Sequence, residues 1–138
     1  MRFVDTNVLL YAVSRDPDEV EKARRAHEIL AGADVALSVQ ALQEFYVQAT
    51  RSTRPDALTH EQATGLVESF LRFPVLDVTA DLMLAACATR ERLGISYWDA
   101  AILEASRALG CPVVLSEDLA AGLDYDGVRV ENPFDARR

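Results

Sequence analysis

The chain has 138 residues, half of them hydrophobic, and 14 Lys and Arg stand against 22 Asp and Glu for a net charge of −8. That length fits one domain, residues 1–138, that can bury a core without disulfide or metal staples, and the composition excludes a disordered tail. The acidic balance excludes a globally basic nucleic-acid surface, so any contact with phosphate has to be local, mediated by metal or supplied by a partner.

Phe3-Val4 leads into Asp5-Thr6-Asn7 and the apolar run Val8 to Val13. This predicts a short buried strand ending near Asp5, then a helix with Thr6 as its N-cap. Asp16-Pro17-Asp18-Glu19 opens the next helix, with Asp16 capping, Pro17 at the first helical position and Glu19 closing a capping box. Ala23, Ala26, Ile29 and Leu30 form its apolar stripe, and Gly32 stops it. Val35-Ala36-Leu37 is a second strand, and Ser38 starts a helix through about Thr50. Thr59 to Gln62 open another helix, whose buried face is Leu66, Val67, Phe70 and Leu71. Pro74 to Val78 is a third strand, and Thr79 begins a helix that Gly94 ends. Ser96 begins a helix running to Gly110. Pro112 to Leu115 is the most β-like segment, and Val128-Arg129-Val130 a short final strand.

Strands alternating with helices of 10–15 residues imply βαβ units, and hence an α/β fold with a central parallel sheet flanked by helices on both faces. No apolar run approaches the ~20 residues that span a bilayer. Met1-Arg2-Phe3-Val4-Asp5 meets a charge too early for a signal peptide, so the expectation is a soluble cytoplasmic protein. Cys87 and Cys111 lie in apolar stretches without a CxxC partner, which predicts small buried thiols rather than zinc ligands or a disulfide. His27 and His60 fall on polar helical positions and read as surface residues. Arg supplies thirteen of the fourteen basic residues, Lys22 being the only lysine. Codon bias explains that skew as well as phosphate recognition does.

Parallel sheets bind ligands at the carboxyl ends of their strands, and four acids fall along that edge. Asp5 ends the first strand, Glu44 lies two turns into the helix after the second, Asp99 sits in the first turn after Ser96, and Asp118 follows the strongest strand. Each has an ordinary reading beside the chemical one. Asp5 could cap a helix or turn, Glu44 could be a solvated helix face, Asp99 could complete a capping box with Ser96, and Asp118 could be a polar turn. Taken together they offer hard oxygen ligands suited to Mg²⁺ or Mn²⁺, with no dedicated His or Cys. No GxSxG, HExxH, GxGxxG or GxxxxGK[ST] is present, which removes hydrolase triads, zincins and nucleotide-binding loops.

The segments around these acids are Phe3-Val4-Asp5-Thr6-Asn7-Val8-Leu9-Leu10-Tyr11, Gln40-Ala41-Leu42-Gln43-Glu44-Phe45-Tyr46, Ser96-Tyr97-Trp98-Asp99-Ala100-Ala101-Ile102 and Leu115-Ser116-Glu117-Asp118-Leu119. In order, they resemble the four motifs of PIN domains, most of all the VapC toxins of type II toxin–antitoxin pairs, and Asn132-Pro133-Phe134 extends the likeness over nearly the whole chain. The resemblance implies a PIN-like fold and Mg²⁺- or Mn²⁺-dependent endoribonuclease activity. It also implies a homodimer and a small antitoxin that inhibits the enzyme and binds DNA. Asp5, Glu44, Asp99 and Asp118 fall on the family's acidic positions, Thr6 and Ser116 on its accompanying hydroxyl residues, and Asn7 on a common neighbour of the first acid. The resemblance carries over no substrate-recognition residue. Arg51 and Arg54, in the run after the Glu44 helix, are candidates to meet phosphates, against the plainer reading of a solvated helix end.

The implied chemistry is metal-assisted hydrolysis of an RNA phosphodiester, with Asp5, Asp99 and Asp118 as the expected direct ligands of one or two ions. Glu44 is expected to ligate through water or to orient the nucleophile. Two other readings stand beside it. A catalytically silent PIN-like module would bind metal and partners without turnover. A haloacid-dehalogenase-like phosphatase would need a second Asp two residues after the first, where this chain has Asn7.

Overall fold

Phe3 and Val4 are adjacent in sequence but enter different apolar clusters, Val4 with Leu9, Leu37, Phe45 and Leu115, and Phe3 with Ala36, Leu103, Val114 and Val130. Successive residues of a strand point to opposite faces, so β1 (Arg2–Val4) divides two cores. The computed structural model describes residues 1–135. Its six-stranded sheet also contains β2 (Val35–Ser38), β3 (Val75–Leu76), β4 (Val113–Leu115), β5 (Asp124–Tyr125) and β6 (Val128–Glu131), in the order β3-β2-β1-β4-β6-β5. All neighbouring pairs are parallel except β5 with β6.

On one face lie α1 (Thr6–Ala12), α2 (Val20–Ala31), α3 (Val39–Ala49) and α4 (His60–Phe70), whose Leu9, Ile29, Phe45 and Phe70 fill the first core. On the other, α6 (Tyr97–Ala108) lays Ile102 and Leu103 on the sheet, and α5 (Ala80–Leu93) packs on α6 through Ala86, Ala100 and Ala101. Small side chains at that seam let the two backbones approach closely. Gly94 ends α5 in the left-handed conformation at φ 68°, its N–H donating to the Arg90 carbonyl, as a glycine C-cap should. Among the described residues no helix is long and apolar enough to cross a membrane.

The fold class and most element positions match the pattern in the sequence, and several details do not. Asp5 caps α1, its carboxylate accepting from the Thr6 N–H at 2.7 Å. Thr6 is not the cap, because its hydroxyl donates across to the Ala41 carbonyl at 3.1 Å. Asp16 caps a single 3₁₀ turn, Pro17–Glu19, and the α-helix starts only at Val20. Glu19 closes no capping box, since it accepts from the Ser14 hydroxyl instead. Leu71 ends α4 exposed at 55%, one position past the buried Phe70 that closes the stripe. The third strand pairs over two residues only. Cys111 is buried as expected, but Cys87 is exposed on the outer face of α5, and both are free thiols. His27 and His60 are exposed. The antiparallel β5 has no counterpart in the expected elements. It pairs with β6 across Asp126-Gly127, both at positive φ (56° and 91°), a two-residue hairpin turn of the kind Asp-Gly favours.

Candidate active site

The ladder between β1, β4 and β6 runs one residue past the strands. The Asp5 N–H donates to the Leu115 carbonyl at 3.0 Å, and the Ser116 N–H to that of Glu131 at 3.0 Å. Asp5 and Ser116 therefore stand side by side at the carboxyl ends of adjacent parallel strands. Chain order also reverses here, β1 being followed by β2 and β3 on one side while β4 and β6 lie on the other. A crevice opens at such a switch point because the flanking connections leave in opposite directions.

The Ser116 hydroxyl, fully buried, donates to Asp5 Oδ2 at 2.8 Å and accepts from the N–H groups of Asp118 (3.1 Å) and Leu119 (3.3 Å). One hydrogen and two lone pairs are all a hydroxyl has, so this side chain is fully used. Asp5 itself is 8% exposed. Burial pushes its carboxyl up to about 6, against the pull of the Ser116 and Thr6 donors, and the negative charges of Asp118 and Glu44 push the same way as burial. A buried carboxylate flanked by like charges is stabilised by a nearby cation.

Asn7, in the first turn of α1, donates through Nδ2 to Asp118 Oδ2 at 3.1 Å, while its own Oδ1 is buried without a hydrogen-bond partner. Asp118 is otherwise exposed. Glu44 is half-buried rather than solvated. Gln40, one turn earlier on α3, donates to its Oε1 at 3.0 Å, and the Thr6 hydroxyl lies 3.5 Å from its Oε2. Asp5, Glu44 and Asp118 thus share one electrostatic neighbourhood.

Asp99 differs. Its N–H donates to the Ser96 cap at 3.1 Å, but the reciprocal half of a capping box is missing and its carboxylate makes no hydrogen bond or ion pair among the described residues. Among those residues no three His, Cys, Asp or Glu side chains are grouped so as to hold a metal ion by themselves. The donor set still suits a hard cation that keeps part of its water shell, since Mg²⁺ is commonly held by one or two carboxylates plus waters. The buried, unpartnered Asn7 Oδ1 beside Asp118 is a further oxygen such a hydrated ion could engage.

Of the two candidate arginines, Arg54 is ion-paired with Asp56 at 2.9 Å, whereas Arg51 makes no ion pair among the described residues. Three residues beyond the expected set also shape the site. Glu117 accepts from the Tyr11 hydroxyl at 2.5 Å and from Lys22 Nζ at 2.6 Å, and Lys22 also lies over the Tyr11 ring. Burial pushes the Glu117 carboxyl up, but the Lys22 and Tyr11 donors outweigh it and hold the group below the usual range. This ties the loop carrying Asp118 to α1 and α2, and Phe134 packs edge-on against Tyr11, 4.8 Å between centroids. No local pattern announces a contact spanning 95 residues.

The PIN domain family model matches residues 2–121. No curated protein matches the chain. Among solved structures, a toxin–antitoxin complex from Klebsiella pneumoniae superposes with a TM-score of 0.69 at 19% identity, covering 97% of this chain and 98% of that one. VapC20 of Mycobacterium tuberculosis, described as a sarcin-ricin loop cleaving toxin, superposes at 0.61 with 20% identity over 86% and 92% of the two chains. VapBC2 from Rickettsia felis, bound to a DNA fragment from its promoter, does so at 0.65 with 19% identity over 95% and 97%. At these identities the structures share the fold.

Proposed function

The chain belongs to the PIN-domain family, and from that premise we propose that it is a Mg²⁺- or Mn²⁺-dependent endoribonuclease, the toxin of a toxin–antitoxin pair. On this reading residues 1–138 act as one domain in the cytoplasm, as a homodimer restrained by a small antitoxin. The observation that carries the reading is Asp5, a buried carboxylate raised to about 6 at a sheet switch point, with Asp118 and Glu44 acting on it. The sarcin-ricin loop cleavage named for the Mycobacterium tuberculosis structure and the antitoxin and DNA complexes among the other relatives support RNA as substrate and an antitoxin as partner.

A divalent ion bound there would supply an activated water and neutralise charge at a scissile phosphate. Asp5 and Asp118 would hold it together with part of its water shell, and Asp99 enters as a further ligand on its place in the motif pattern alone. Ser116 and the Thr6 N–H fix the two oxygens of Asp5, and Asn7 fixes one of Asp118. Gln40 engages Glu44 Oε1, and Oε2, with only the long 3.5 Å approach of the Thr6 hydroxyl, is the oxygen that would orient a water. Beside it stands the silent-module reading, in which the same acids would hold an ion and a partner without turnover.

The two readings separate on one experiment. Purified protein is incubated with RNA in Mg²⁺ or Mn²⁺ and, in parallel, with excess chelator. Cleavage that appears with metal and stops with chelator is expected. Intact RNA under every metal condition leaves the interaction module, and hydrolysis of a small phosphomonoester instead of RNA points to a phosphatase.

A further inference from the structure

Trp98, at the start of α6, is 62% exposed, although an indole is among the largest apolar surfaces a chain can bury. Its neighbour Tyr97 packs against Ala86, Ala100 and Ala101 and meets the indole edge-on, 5.0 Å between centroids and 84° between planes. Tyr97 thus steadies the ring while most of Trp98 stays open to solvent. That ring lies across a groove of about 460 Å³ from one side of α3, which contributes Gln40, Glu44, Val47, Gln48 and, just past its end, Arg51. The spacing is helical, so these residues form one continuous stripe. Toward one end the groove is lined by Gln40 and Glu44, whose charge acts on Asp5. At the other is a guanidinium with no ion-pair partner among the described residues, on a chain of net charge −8.

We propose that this groove is a subsite for an unpaired nucleotide of RNA, its base stacked on Trp98 and its phosphate met by Arg51, so that the strand leads toward the acids beyond Glu44. The inference deepens the nuclease reading and rests on it for the direction of the strand. Three features select this occupant. An aromatic face accepts any base but only where the base is unstacked, which favours single strands, loops and ends over duplex. Arg51 supplies the local positive charge that the acidic composition otherwise withholds. Gln48 makes no side-chain hydrogen bond among the described residues, which leaves its amide for base edges, while the exposed Val47 floors the groove.

Trp98 is the single tryptophan, so its fluorescence reports the subsite directly. The protein, with chelator present to prevent cleavage, is titrated with an unstructured RNA oligonucleotide and with the same sequence as a duplex. Saturable quenching by the single strand and little by the duplex is expected. In a parallel assay with labelled RNA, Trp98→Ala should weaken single-strand binding on the order of tenfold, the range found for loss of one base–aromatic stack. Trp98→Phe should restore most of it, and Arg51→Ala should weaken binding while flattening its dependence on salt. Unchanged fluorescence with an RNA that the protein cleaves overturns the subsite and leaves the nuclease reading standing. Quenching by single strands without cleavage under any metal does the reverse. Equal quenching by duplex removes stacking as the mode, and quenching by a protein partner but by no RNA gives the groove to a protein; either result overturns the proposal.

Discussion

The carboxyl edge of the sheet and the start of α6 are held by different means. At the strand ends, both oxygens of Asp5 are engaged, by Ser116 and by the Thr6 N–H, and the serine is itself satisfied by two backbone donors. At the start of α6, the Asp99 carboxylate has no partner among the described residues and the neighbouring indole faces solvent. The first side fixes where charge sits, at the cost of burying it, and the second leaves groups free to follow a ligand. In the proposed nuclease, a preorganised part and an adaptable part of this kind would divide the work between placing a charge before reaction and admitting a large, variable polymer.

The sharpest way to break the comparison is Asp5→Asn, which should act on activity and stability in opposite directions. Cleavage should fall by a factor on the order of a thousand, because several kcal/mol of charge stabilisation leave with the ligand. The folded protein holds the Asp5 proton up to about 6, against 3.8 for an ordinary aspartate. Between those values the native state binds more protons than the unfolded state, so this group's contribution to stability falls as pH rises from about 4 to about 6 and stays low above. The cost at neutral pH is on the order of 2–3 kcal/mol, which the asparagine avoids apart from what it loses in hydrogen bonding to Ser116. Thermal unfolding of both proteins from pH 4 to 7 should therefore show the variant gaining on the parent with rising pH, and parallel curves would refute the assignment of Asp5 as the strained group. Asp99→Asn is the counterpart. It should lower cleavage by about a hundredfold if Asp99 completes the metal set, while moving stability by no more than about 0.5 kcal/mol at any pH, as for a side chain without partners.

Ser116→Ala tests whether the fixed side is fixed by this hydroxyl. Two N–H groups lose their acceptor and Asp5 loses a donor, which should destabilise by about 1–3 kcal/mol. Cleavage should fall about 10–100-fold, the range for residues that orient a ligand. A stability loss with unchanged turnover would mean that Asp5 needs no such support.

The positions of Asp5 and Asp118 were readable because each follows a β-like run, and that of Asp99 because it opens a helix, whereas Glu44 lies two turns into α3 beside its apolar stripe. Their relations were less readable. Asp5 and Thr6 are both good caps, and only the distant Ala41 carbonyl, which engages the Thr6 hydroxyl, decides between them. Tyr97 and Trp98 are adjacent aromatics near a helix start, where periodicity does not say which one turns inward. Arg51 and Arg54 look alike in sequence until Asp56 takes one of them. The β5–β6 hairpin did carry a signal, Asp126-Gly127, but Asp124-Tyr125 is too short to show an alternating pattern. Cys87 lies among alanines, and an apolar stretch does not reveal that its helix packs on one side only.

The smallest expected effect concerns the outer brace of the fixed side. Lys22 and Tyr11 hold Glu117, and through it the loop that presents Asp118, but Lys22 is 40% exposed and Glu117 27%, so solvent screens the pair and its worth is about 1 kcal/mol or less. The Glu117 carboxyl sits below its usual range because the two donors outweigh its burial. Its contribution is therefore present above the ordinary glutamate range and fades as pH falls through the lowered folded value, the opposite sense to Asp5. Lys22→Met should lower stability slightly at neutral pH and less in acid. Cleavage should drop only a few fold, since Asn7 and Ser116 still hold Asp118. Lys22→Arg, which keeps the charge but reshapes the donor, should lie between the two. A fall in cleavage as large as that of Asp99→Asn would place this brace in the chemistry itself, and the division between a fixed and an open side would then have to be redrawn around Glu117.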